Sequence, residues 1–192
     1  TEELVLVSNR DKFMQFEEGT HDIHFENLTF AYQERLFGDM GVDSKRIVFD
    51  HCAFHSFTRP SAIKGTAYQF RDCAFSHFAG GVLTFFGGSR ARLTASGHLV
   101  AGCTFRDFQH LKQTTYPAIW PRECGVAVRD CRFEDAAHNA IRLIGNDHFV
   151  GWCQFENVLR ETLDCGAAYA GRNTSYLGNL FLGCSFKNTK PV

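Results

Sequence analysis

A right-handed parallel β-helix of about seven coils, an all-β solenoid, is the fold this sequence predicts, and three observations lead to it. A phrase built on cysteine and phenylalanine recurs: DHCAFHSF at 50–57, RDCAFSHF at 71–78, GCTFRDF at 102–108, DCRFED at 130–135, WCQFEN at 152–157 and GCSFKN at 183–188. Apolar residues within each repeat alternate, as on strands with one buried face. The marker residues Phe30, Phe54, Phe75, Phe105, Phe133, Phe155 and Phe186 are separated by 24, 21, 30, 28, 22 and 31 residues. Loops of different size therefore interrupt a constant unit, unlike helical repeats of fixed length.

Each unit opens on a strand. Phe25, Phe49, Phe70, Val100, Val128, Val150 and Phe181 stand three residues before the cysteine position, and Ile23, Ile47, Tyr68 and Val126 stand two before those. The cysteine and the phenylalanine two beyond it form a second alternating pair, with Leu28 replacing cysteine in ENLTF. The step from the earlier apolar residue to the cysteine is three, an odd number, so a flat strand cannot keep both pairs inward. The chain must turn a corner there. A third side follows from SAIKG, GGVLTFFGG, YPAIW, NAIRLIG and GAAYAG, short apolar runs bounded by Gly, Pro or Asn. Coils of three strands stack at about 4.8 Å and hydrogen-bond to their neighbours.

Composition agrees with a solenoid filled by apolar columns: 20 phenylalanines and 17 glycines against 4 prolines, with 44% hydrophobic residues. The chain reads as one domain over 1–192, with no run long enough for a membrane span. Twenty basic and 21 acidic residues without a basic stripe give no reason to expect a nucleic-acid partner. The chain opens on the strand-like run TEELVLVSNR and neither end carries a cap for the open coil edges, so it is expected to be part of a longer protein.

Six of the eight cysteines, Cys52, Cys73, Cys103, Cys131, Cys153 and Cys184, share one inward corner position, and no C-x-x-C spacing occurs. The expectation is a buried column of reduced thiols, with no metal and no cofactor. Cys124 and Cys165 lie off the column, as free thiols or as a pair. NLT at Asn27 and NTS at Asn173 fit the glycosylation acceptor pattern, which matters only in a secreted protein.

Polar residues crowd the stretch 138–179. Ile141 and Leu143 alternate inward, which turns Arg142 outward. His138, Asp147, His148, Glu161, Asp164, Tyr169 and Arg172 follow at strand ends and turns of consecutive coils. Two carboxyl groups are what glycosidic cleavage needs, one to protonate the leaving oxygen and one to activate water or attack the sugar. Asp, Asn and Gly also close turns, and Arg commonly pairs with such carboxylates on a solvated face.

The runs GGSRARLTASGH at 87–98, TTYPAIW at 114–120, AAHNAIRLIGNDH at 136–148 and ETLDCGAAYAGR at 161–172 resemble the signature of bacterial right-handed β-helix proteins related to glycoside hydrolase family 141. The corresponding family phrases read Gly-Gly-Asp-Arg, Thr-Tyr-Thr-Pro-Ala, Gly-Asn-Asp-His and Glu-Thr-Asp-Asp-Ala-Gly-Ala, and the resemblance covers residues 80–188. It implies cleavage of plant or algal glycans in an acidic surface groove, with fucosidase and xylanase activities among relatives, and a location outside the cell or at its surface. Asp164 and Glu161 would be the catalytic pair, with His138, Arg142, Asp147, His148, Tyr169 and Arg172 binding the sugar. Ser89 stands where the family has an aspartate, Leu163 replaces the first of its paired aspartates, and Cys165 replaces an alanine. The alternative expectation is a non-catalytic β-helix that binds a glycan or serves as a rigid part of a larger extracellular or cell-surface assembly.

Overall fold

The structure, a computed structural model, describes residues 12–37, 44–162, 165–171 and 173–189. Twenty-one short strands form seven coils of three. The first coil is β1 (Lys12–Met14), β2 (His21–Glu26) and β3 (Thr29–Ala31); the second is β4 (Arg35–Phe37), β5 (Lys45–Asp50) and β6 (Ala53–His55). The third is β7 (Ser61–Ile63), β8 (Gln69–Arg71) and β9 (Ala74–Phe78); the fourth is β10 (Leu83–Phe85), β11 (His98–Ala101) and β12 (Thr104–Phe108). The fifth is β13 (Ile119–Pro121), β14 (Val126–Arg129) and β15 (Arg132–Ala136); the sixth is β16 (Ile141–Leu143), β17 (Phe149–Gly151) and β18 (Gln154–Glu156). The seventh is β19 (Ala168–Ala170), β20 (Leu180–Leu182) and β21 (Ser185–Lys187).

Every strand pairing is parallel and joins one coil to the next, as the repeat requires. The first sheet runs β2-β5-β8-β11-β14-β17-β20, the second β3-β6-β9-β12-β15-β18-β21, and the third β7-β10-β13-β16-β19. The pair β1-β4 continues the third sheet's side, where the Leu36 amide donates to the Ser61 hydroxyl at 3.0 Å in place of a ladder bond. The chain is thus a parallel β-helix. All five apolar runs expected on the third side carry its strands, whereas β1 and β4 have no counterpart in the sequence reading. No described helix is long and apolar enough to cross a membrane.

The seven marker phenylalanines form one ladder from Phe30 to Phe186. Successive rings lie 4.6–5.1 Å apart with planes within 12° of parallel. Offset-stacked pairs add about 0.5–1.5 kcal/mol each beyond the area they bury. Beside it, Phe25, Phe49 and Phe70 stack at 4.8 and 5.0 Å, and Val100, Val128, Val150 and Phe181 extend that column in register.

The odd step between these two columns has a definite backbone cause. One residue per coil, just before the cysteine position, is left-handed: Asn27, His51, Asp72, Gly102, Asp130, Trp152 and Gly183 have φ between 49° and 67°. A left-handed residue reverses the alternation, so the side chains on both sides of it point inward. The same device recurs two residues after each marker phenylalanine, from Tyr32 through Ser56, His77, Asp107, Asp135 and Asn157 to Asn188. It returns Phe57, Phe78, Phe108, Ala136 and Val158 to the interior. Asp and Asn suit these sites because they tolerate this backbone at small cost.

The first corner leaves room inside only for a small side chain, which cysteine fills. None of the eight cysteines is in a disulfide, so Cys124 and Cys165 are not a pair. Column thiols donate to carbonyls two residues earlier, as Cys103 does to Ala101 at 3.4 Å, and burial pushes the Cys52 and Cys103 thiols up. Few of them are expected to react with a thiol reagent until the chain unfolds. Truncating Phe105, fully buried between Phe75 and Phe133, to alanine should cost about 3–5 kcal/mol, read as a shifted denaturant midpoint with an unchanged slope.

Candidate functional site

The connections between coils distribute unevenly. First and second sheets are joined by two residues in every coil, such as 51–52 and 102–103, so nothing protrudes there. The long connections 86–97, 109–118, 157–167 and 171–179 each lead into or out of a third-sheet strand. All four runs that carry the family resemblance fall on this sheet and its flanking loops. The face they border is the candidate site.

Its floor is set by alternation. Inward residues such as Leu83, Ile119, Ile141 and Leu143 are fully buried, so Thr84, Trp120, Arg142 and Tyr169 alternate outward in register across four coils, Thr84 covered and the other three partly exposed. Two guanidinium groups lie against the Trp120 indole: Arg122 at 4.6 Å from the ring centroid and Arg142 at 5.2 Å. Arg122 also reaches the Phe86 ring at 5.6 Å, and Arg142 the Tyr169 ring at 5.9 Å. Cation–π contacts of this kind are worth about 0.5–2 kcal/mol. They hold long side chains in place without neutralising them. The Trp120 Nε1–H is buried and has no acceptor among the described residues.

One flank is pinned by Arg90. The tight hairpin closed by Ser89 and Thr94 presents it, and Arg90 donates to Asn146 Oδ1 at 2.9 Å and Ser175 Oγ at 2.9 Å while lying 4.7 Å over the Tyr176 ring. The loops of the fourth and seventh coils are thereby joined. On the opposite flank Gln109 donates to the carbonyls of Tyr116 and Asn139 and accepts from the His138 amide. Arg160 and Glu161 donate their amides to Ala136 and Ala137, which lays 157–162 against the sheet's edge.

The expected site residues separate into groups. Arg142 and Tyr169 meet on the floor. His138 is half-buried on the edge, its Nδ1 2.6 Å from Asn139 Oδ1 and 3.9 Å from Cys165 Sγ. Glu161 is exposed on the flanking loop. Asp147 occupies a left-handed corner away from the floor, its carboxylate against the Cys124 thiol at 3.6 Å. Asp164, Leu163 and Arg172 lie outside the described residues.

His148 is in the interior. Its Nδ1 accepts from the Val126 amide at 3.1 Å and its Nε2 donates to the Ile144 carbonyl at 3.1 Å, which leaves no nitrogen for a ligand. His98, two coils earlier, accepts from the Tyr68 amide at 3.2 Å and donates to the Phe86 carbonyl at 3.0 Å. The sequence signal missed was the register: both histidines stand on the inward position that Ile23, Ile47 and Val126 occupy elsewhere. Trp120 and Arg122 were also missed as site residues, although YPAIW already placed an aromatic at an outward position.

Other polar groupings lie away from this face. At the first corner Asp50, His51 and Asp72 bring one potential ligand atom each within 4.8 Å of one another, with His51 Nδ1 already paired to Asp50 at 2.6 Å. A concavity of ≈ 480 Å³ on the second sheet's side is lined by His77, Arg106, Asp107, Asp135 and Arg160, whose charges largely pair.

Fold and face together define a parallel β-helix with an arginine and aromatic floor between long loops. Comparison of the chain with models of protein families, with curated proteins and with solved structures gives no match.

Burial holds the His98 pKa down to about 4 and lowers that of His148. Both rings are neutral in the fold, so below the unfolded value of about 6.5 the unfolded chain binds protons that the fold refuses. Stability is therefore full above pH 6.5 and falls as the pH drops toward 4, by roughly 3 kcal/mol for His98 alone. Melting temperatures at pH 7.5, 6.0 and 4.5 should decline in that order, and His98→Asn should flatten the decline.

Proposed function

We propose that this chain is a carbohydrate-active β-helix whose glycan lies along the outer face of the third sheet, where the long loops converge. The observation that carries this reading is the floor itself, on which Phe86, Trp120 and Tyr169 sit on coils four, five and seven beside fixed guanidinium groups. Sugars are bound by flat aromatic surfaces together with a few oriented polar donors. A pyranose unit is close in length to the coil rise of about 4.8 Å, so a chain parallel to the helix axis meets equivalent positions on successive coils. The resemblance to glycoside hydrolase family 141 supports the same substrate class, and a glycan ligand suits an extracellular or cell-surface location.

Turnover is the finer part of the proposal. Glu161 belongs to the loop beside the floor, and in a hydrolase Glu161 and Asp164 would serve as acid and base or nucleophile, with carboxyl groups about 5–9.5 Å apart. The second reading, a glycan-binding scaffold without turnover, draws on Ser89 and Leu163, which stand where the family has aspartates.

Affinity electrophoresis against soluble plant and algal polysaccharides tests the shared part. Trp120→Ala should abolish retardation while leaving the melting temperature within a few degrees, because the ring lies outside the core. Retardation of the parent by none of the polysaccharides, or retardation of the variant as strong as that of the parent, would overturn it. Reducing-end assays on fucosylated and xylan-type glycans then separate the readings: hydrolysis that falls by about 10²–10⁴ in Asp164→Asn and Glu161→Gln identifies an enzyme. Binding without hydrolysis identifies a scaffold.

A further inference from the structure

We infer that the glycan recognised by this face is acidic, bearing carboxylate or sulfate groups. The inference rests on the glycan reading above and deepens it. Arg71 is held by Gln69 and Arg90 by Asn146 and Ser175, and several other surface guanidinium groups meet carboxylates: Arg46 with Asp22, Arg59 with Glu34, Arg129 with Asp130, and Arg132 with Glu134 and Glu156. On the floor they do not. Arg122 and Arg142 make no ion pair among the described residues, although both are half-buried and held against one indole.

A half-buried cation without a counter-charge loses hydration and gains little in return. Stacking on Trp120 offsets part of that loss and leaves the guanidinium edges, with their N–H donors, free to bind. Two fixed cations with no carboxylate paired to them among the described residues match a ligand rich in anionic oxygens. Planar carboxylates and sulfate esters both fit the guanidinium fork. A neutral xylan or fucan would supply only hydroxyls and leave both charges unmatched.

The test compares polymers that differ in charge alone. Polygalacturonate is set against its carboxyl-reduced form, and dextran sulfate against dextran, by isothermal titration at low and moderate salt. Binding to polygalacturonate should exceed that to the reduced polymer by about tenfold or more and weaken as salt rises. Preference for dextran sulfate over dextran with no such preference in the first pair would assign the anion as sulfate. Arg142→Gln and Arg122→Gln should each remove most of the discrimination, while Arg142→Lys, which keeps the charge but loses the fork, should restore it only in part. Circular dichroism checks that each variant folds. Equal affinity for charged and uncharged members of both pairs would overturn the acidic ligand and leave the glycan reading standing. Binding to neither member of either pair, with the neutral plant and algal polysaccharides also unbound, would overturn both.

Discussion

In-register parallel stacking constrains everything else in this molecule. Once coils align, whatever one coil does at a given position its neighbours must also do, because their backbones hydrogen-bond there. The two left-handed columns flanking the phenylalanine ladder are the clearest consequence. Had one coil turned with a different backbone, its phenylalanine would have left the stack, exposing a ring and opening a cavity at once. The Cys52 to Cys184 column has the same origin. A small side chain is needed where the corner closes, and the thiol also donates to nearby carbonyls, as Cys73 does to Arg71 and Phe49.

The same constraint decides where variation is allowed. Two residues close the corner between the first and second sheets in every coil, and lengthening that corner would shift both ladders. The ends of the third sheet carry no such ladder, so insertions collect there and a broad face acquires flanking loops. Loop growth is placed by exclusion: this is the side of the solenoid on which length can change without cost to the core. Arg90, which joins loops three coils apart, turns that freedom into a fixed edge.

The fold was legible because its signal is repeated seven times. Phe105 alone says little, but seven markers at variable spacing exclude helical repeats and demand a corner. The left-handed backbone was not legible as such, since Tyr32, His77 and Trp152 are poor advertisements for positive φ; only the odd spacing betrayed it. The site was less legible. Arg142 could be placed outward because Ile141 and Leu143 bracket it, and Tyr169 followed from the next coil. His148 looked like a ligand-binding residue because histidine in a polar stretch reads as chemistry. Its inward register, shared with Val126 and His98, was the evidence against that.

Those two histidines bear on the face by another route. His98 Nε2 holds the carbonyl of Phe86 and His148 Nε2 that of Ile144, the first residues beyond β10 and β16. Asn179, at the same inward position one coil further, donates to the Gly145 carbonyl at 3.0 Å and accepts from the His148 amide at 3.0 Å. Each side chain thus replaces an apolar residue in the core in order to tether the exit of a third-sheet strand. These tethers fix where the Phe86 ring begins and how the chain leaves Arg142. The His148 imidazole, first expected to touch sugar, acts instead from behind the sheet as that of His98 does, and their neutrality is the condition for both a sound core and a rigid floor.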